Sequence, residues 1–293
     1  MNKTILATAS LLFATLLYSI FAILTRTIGF TIPLFFASMT RDVLAGAILL
    51  LPLFLAKRFK KVKKADWLWL CLGSLGGLFG FLGFYYAFYY LPVGTAYLIF
   101  YGGSTIAGFI LGTIFFKEKI EFFEGFSLVL AILGLYFIYA IDDLSGSFLY
   151  VLLALMGGVG TAVWNTFSKK ISNHYEASQL SGLDIAISGI MWLVLSLLNQ
   201  ETWQAPSFNM AWIASVALAL LFIVTGQLMI YGFKYLDAQK GSLIMLMEIV
   251  FGSLVGLVFF RETLSTHALI GGLMIILAAA LPSVKSILLR HRS

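Results

Sequence analysis

The chain is poor in charge, cysteine, proline and histidine, and each shortage closes off a class of protein. Only 11% of its 293 residues are charged and 61% are hydrophobic, where a soluble domain carries roughly 25% charge. A water-soluble globular domain is excluded. The single cysteine, Cys71, rules out a disulfide framework and any cysteine-based zinc site. Asp142 and Asp143 stand together but lack the further carboxylates or histidines that a divalent site needs. His174, His267 and His291 lie in or near loops and do not recur at ligand spacing. No serine or cysteine occupies a nucleophile motif. The expectation is therefore a protein that is not an enzyme and needs neither metal nor cofactor.

What the chain does have is long apolar runs. A bilayer span takes about 20 residues, and ten stretches qualify, at 4–25, 33–55, 66–90, 92–116, 122–141, 147–168, 178–199, 209–233, 238–260 and 265–287. This predicts an all-α membrane protein of ten transmembrane helices. The first stretch has little positive charge before it and no small-residue cleavage site after it, so it reads as a true span rather than a signal.

Ten spans put both termini on one side. Of the 19 Lys and Arg residues, 16 fall on that side, including the run from Lys57 to Lys64, while Arg26 and Arg261 fall opposite and Arg41 lies within a helix. Positive loops remain cytoplasmic, so both termini are expected there. The run at 57–64 would also suit nucleic acid or anionic lipid, but topology alone accounts for it and no nucleic-acid partner is expected.

A repeat lies inside the sequence. Gly108, Gly112 and Phe115-Phe116-Lys117-Glu118 recur 144 residues later as Gly252, Gly256 and Phe259-Phe260-Arg261-Glu262. Upstream, Tyr86, Phe88, Tyr90 and Leu91 match Tyr231, Phe233, Tyr235 and Leu236, and Thr15 with Tyr18-Ser19 matches Thr161 with Trp164-Asn165. The chain thus divides into two five-helix units, 1–144 and 145–293. An odd number of helices per unit forces the second to enter the membrane in the opposite direction, which is the inverted-topology arrangement of transporters. A channel is disfavoured, since no filter-like loop lies between spans.

A helix ending Phe-Phe-(Lys/Arg)-Glu, preceded by a Tyr-rich helix and repeated in a second unit, resembles the drug/metabolite transporter superfamily in its EamA-type branch. Leu246-Met247-Glu248-Ile249-Val250 is similar to the Leu-Glu-Pro-Val motif of that branch's ninth helix, with Ile249 where proline is usual. The aromatic third and fourth helices are similar to those of YddG-type amino-acid exporters. The resemblance implies an inner-membrane carrier of small metabolites, often an exporter, with helices one, three, four, six, eight and nine around a central cavity.

Glu248 is the acidic residue nearest the middle of a span, where a carboxylate needs a wet cavity or a partner. It shares a helical face with Gly241, Met245, Gly252 and Gly256. It suits a substrate ammonium group or a proton, although a glutamate hydrogen-bonded between helices would look the same. The fourth helix presents Tyr97, Tyr101 and Ser104 on the matching face, with Ser104 at the repeat position of Glu248. These tyrosines suit a cation-binding wall, or equally interfacial anchors. Trp164 and Asn165 in the sixth helix, Tyr18 in the first, Tyr86 in the third, and Gln227 with Tyr231 in the eighth complete the expected ring. Arg41, Asp42 and Asp184 lie within about two turns of helix ends, where snorkelling is available, and read as structural. Glu118 and Glu262 are expected to bind the free N–H groups of the helices that follow them. The expectation is a monomeric or weakly dimeric carrier in the bilayer of a bacterial cytoplasmic membrane, exporting amino acids or related amino-bearing metabolites by alternating access. The competing reading is a multidrug or organic-cation exporter of the same fold.

Overall fold

The computed structural model describes residues 3–29, 31–91, 93–138, 148–260 and 266–290, and within some helices, at Tyr97 and 255–260 among others, only the backbone. The described residues form twelve helices and no strand: α1 (Lys3–Tyr18), α2 (Phe21–Ile28), α3 (Leu34–Leu55), α4 (Lys64–Tyr90), α5 (Val93–Phe116), α6 (Phe122–Ile138), α7 (Phe148–Ile171), α8 (Ala177–Leu198), α9 (Met210–Tyr235), α10 (Ala238–Met245), α11 (Met247–Phe260) and α12 (Thr266–Arg290). In its described residues each of the ten apolar stretches is helical, and the first and ninth are each divided in two. Among the described residues, seven helical stretches are long and apolar enough to cross a membrane, with shorter apolar helices at Phe122–Phe137 and Leu269–Leu281.

The two divisions have local causes. At the α1/α2 break, the Ser19 hydroxyl donates to Leu16 O at 2.6 Å and that of Thr15 to Leu12 O at 2.8 Å, and such back-bonding bends helices. Ile20 N then bonds Leu17 O, three residues back rather than four. At the α10/α11 break, Leu246 N reaches Leu243 O and Ile249 N reaches Leu246 O, again at the tighter spacing. Ile249 replaces the usual proline, so the ninth stretch is interrupted without one.

The most extensive packing joins α4 to α7, α5 to α7, α3 to α8, α6 to α12 and α1 to α9. Every one of these pairs takes one helix from before residue 139 and one from after residue 147. The α4/α7 seam is the tightest, because glycines let the backbones touch. A Cβ on Gly76 would stand 2.7 Å from Gly160 O, and one on Gly80 would stand 2.7 Å from Thr161 Oγ1. Close approach at small residues is how membrane helices gain packing when the lipid is as apolar as they are. Leu51, Leu55, Val129, Ile190 and Leu220 lie exposed on the outside, the face that hydrocarbon would cover.

Candidate functional site

The two broken helices meet at the centre, where α1 packs against both α10 and α11. Beside them lies a cavity of about 160 Å³ lined by α1–α5 and α7–α11. Drug-sized pockets run roughly 300–1,000 Å³, so this one suits a small solute.

Glu248 stands in the first turn of α11, only 4% exposed, where the break frees backbone N–H groups and an anion is favoured. The Tyr101 hydroxyl, from α5, donates to its carboxylate. Opposite, Asp184 of α8 accepts from Ser74 Oγ at 2.6 Å and from Trp164 Nε1 at 2.7 Å. Arg41 and Asp42, adjacent on α3, form an ion pair through Nε and Oδ1 at 2.7 Å, and Trp192 lines the cavity with them. The Arg41 guanidinium carbon lies 4.8 Å from the centroid of Phe81 and 4.4 Å from that of Phe222. Phe21 meets Phe81, Phe84 and Phe222 edge-on, and Tyr18 meets Phe222 in the same way. The walls are therefore aromatic, and the charged groups among the described lining residues are three carboxylates and one guanidinium.

Of the residues expected here, Glu248, Tyr101, Ser104, Trp164 and Tyr18 line the cavity. The Tyr97 side chain lies outside the described residues. The other four, Asn165, Gln227, Tyr86 and Tyr231, are not among the residues that line it. Asn165 follows Trp164 by one residue and so points about 100° away around the helix; it is buried, and its Oδ1 has no partner among the described residues. Gln227 donates to Ile223 O of its own helix at 3.3 Å, turned aside from its cavity-lining neighbour Gly226. Tyr86 stacks on Tyr90, which stacks on Tyr150. Tyr231 packs against Tyr235 and lines a separate recess with Lys60, Ser172 and Lys234.

The opposite holds for Arg41, Asp42 and Asp184, expected to be structural residues near helix ends. All three line the cavity, because α3 and α8 pack together and turn their polar faces to the centre. A signal was present: Ser181, Asp184 and Ser188 share one helical face, and Asp42 and Asp184 hold comparable places in the two units.

The repeated Glu118 acts elsewhere than expected. Its carboxylate accepts from Ala238 N at 2.8 Å and Gln239 N at 3.1 Å, and pairs with Lys169 Nζ at 2.6 Å. It therefore caps α10, in the other half, rather than α6, which follows it. Lys117 at φ 55° turns the chain back, and Gly112 leaves the room, since a Cβ there would stand 2.6 Å from Glu118 Oε2. Glu262, its repeat mate, and the pair Asp142-Asp143 lie outside the described residues.

With this geometry in view, the comparisons with known proteins are specific. An uncharacterized transporter of Archaeoglobus fulgidus is 28% identical over 116 residues, a match to 31% of this chain and 43% of that protein. The chain thus spans less than half the length of that curated relative. A solved crystal structure of a protein superimposes with a TM-score of 0.77 at 18% identity, covering 94% of this chain and 98% of the other, which is a likeness of fold. The EamA-like transporter family matches twice, over residues 5–140 and 148–284. Two family matches spanning nearly the whole length, on an all-helical apolar bundle around an aromatic-walled cavity, make the chain a member of the EamA-like transporter family, a multi-pass membrane protein.

Proposed function

We propose that this carrier exports amino acids or related amino-bearing metabolites by alternating access across a bacterial cytoplasmic membrane. Its ten spans form two inverted units, 1–144 and 145–293, with both termini in the cytoplasm, and it works as a monomer or weak dimer. The observation that carries the substrate reading is the set of charged groups in the cavity: among the described lining residues Asp42, Asp184 and Glu248 share it with one cation, Arg41, which Asp42 already pairs. A charged side chain at the bilayer centre costs about 2.5–3.5 kcal/mol even on the mildest scale. Carboxylates kept there at that cost suit a substrate ammonium group, held between Glu248 and Asp184 with tyrosine and tryptophan at its sides. Alternating access is supported by the repeat and by two interrupted helices meeting at the site, a recurrent arrangement in carriers. Export and the membrane rest on the family resemblance and on the basic loops.

The aromatic walls favour one second reading, a lipophilic organic-cation exporter of the same fold. The test is counterflow of labelled amino acids in proteoliposomes, with tetraphenylphosphonium as competitor and Glu248→Gln beside the parent. Saturable counterflow of an amino acid that fails in the variant is the expected result. Movement of the organic cation with no amino acid moving would replace this reading by the second.

A further inference from the structure

We propose that Arg41 is the residue that binds the substrate's carboxylate, so that the carrier selects zwitterions over simple amines. The inference rests on the amino-acid reading above and narrows it. A guanidinium has five N–H donors in a rigid fork and cannot shed its charge. In Arg41, whose side chain is 4% exposed, only Nε has a hydrogen-bond partner among the described residues, the Asp42 carboxylate at 2.7 Å. The neighbouring Phe81 and Phe222 rings offer no ordinary acceptor to its edge. The four N–H groups on the two terminal nitrogens therefore stand without an acceptor among the described residues, on a residue that lines the cavity.

Donors left unmade on a buried charge are costly, and a guanidinium edge matches two oxygens on one carbon. Asp42 fixes the fork through Nε and offsets its charge. An arginine retained only for that ion pair would not need to line the cavity. The geometry also sets the charge of the ligand. Asp184 and Glu248 line the same cavity as Arg41, so a dianion such as phosphate would meet two carboxyl groups as well as the guanidinium. An α-carboxylate beside an ammonium group meets both signs at once.

The test is binding to the purified full-length protein, read as thermal stabilisation, of each proteinogenic amino acid beside its carboxamide and its decarboxylated amine. In the parent protein the best-binding acid should exceed its amide by about 10- to 100-fold, the range of a charge-assisted hydrogen-bond pair. Arg41→Gln should lose that discrimination, Arg41→Lys should keep part of it, and Glu248→Gln should weaken acid and amide alike while preserving their ratio. The inference is overturned if the parent binds amide as tightly as acid, if Arg41→Gln leaves the ratio unchanged, or if inorganic phosphate displaces the amino acid. The parent comparison decides even where a variant does not fold. Binding of the amine alone would overturn the Arg41 role and leave the amino-bearing reading standing. Binding of tetraphenylphosphonium alone would overturn both.

Discussion

The fourth helix of each half is written with the same frame, Gly-x-x-x-Gly-x-x-Phe-Phe and then a basic residue and glutamate, yet the two fold differently. In the first half, α5 runs unbroken from Val93 to Phe116 with Ser104 in the wall of the cavity. In the second, the helix stops at Met245, restarts at Met247 and puts Glu248 in the new first turn. The first helices are mismatched in the opposite sense: α1 and α2 are separate, whereas α7 is continuous. The interrupted members are the ones that touch. The shared glycine and aromatic frame thus builds the scaffold, and the chemistry lies where the copies have diverged, at one hydroxyl against one carboxylate and one intact helical ladder against one open ladder.

The sharpest way to break this comparison is proline at matched positions. Ile249→Pro falls in the first turn of α11 and gives up the single short-spaced bond from Ile249 N to Leu246 O, so it should cost about 1–2 kcal/mol. Its counterpart Thr105→Pro falls inside the continuous α5 and should cost about 3 kcal/mol or more. Thermal unfolding in detergent checks both. Equal losses would show that the break at Leu246 has no energetic meaning.

Next comes the divergent pair itself. Glu248→Gln should lower the initial counterflow rate by about 10- to 100-fold, the worth of a charged hydrogen bond, while Ser104→Ala stays within about threefold of the parent. Similar rates for the two variants would remove the distinction between the halves at the site. A smaller effect separates glycines of the shared frame from those outside it. Gly112→Ala meets the Glu118 carboxylate at 2.6 Å, whereas a Cβ on Gly102 meets nothing within 4 Å. The first should cost about 1–3 kcal/mol by overpacking and the second almost nothing, again by thermal unfolding.

Smallest of all is the cap between the halves. Glu118→Gln keeps the size of the side chain but removes the charge that Lys169 and the α10 N-terminus share. In a Cys71→Ser background, a cysteine placed at Ser172 should label a few-fold faster once that closure is weakened. No change in labelling would make the cap a packing detail.

How far the sequence could be read depended on contrast. Apolar runs against basic loops marked the helices, and the repeat marked their division, because both signals are strong in a chain with so little charge. The helix breaks were illegible, since they arise from the hydroxyls of Thr15 and Ser19 and from short-spaced backbone bonds rather than from glycine or proline. Glu248, Tyr101 and Trp164 were found because a polar group stands out on an apolar face. Tyr231 and Gln227 were misplaced because α9 is apolar nearly all round, so that its inward face has no mark. Arg41 and Asp184 stand near helix ends, so that their place in the cavity lining is set by the face they occupy and not by their depth along the helix. Their companions Ser181 and Ser188 carried the facing.

The crossing of helix pairs between halves has a consequence for how the protein is made. Among the described residues α4 buries its glycine face chiefly against α7, and about 80 residues separate the end of one, Tyr90, from the end of the other, Ile171. At roughly 5–20 residues per second, α4 waits on the order of 4–16 s in the lipid with that face uncovered. Insertion and packing are then distinct events in time. During the interval the nascent first half is a helix set in search of a partner, which its own second half goes on to supply.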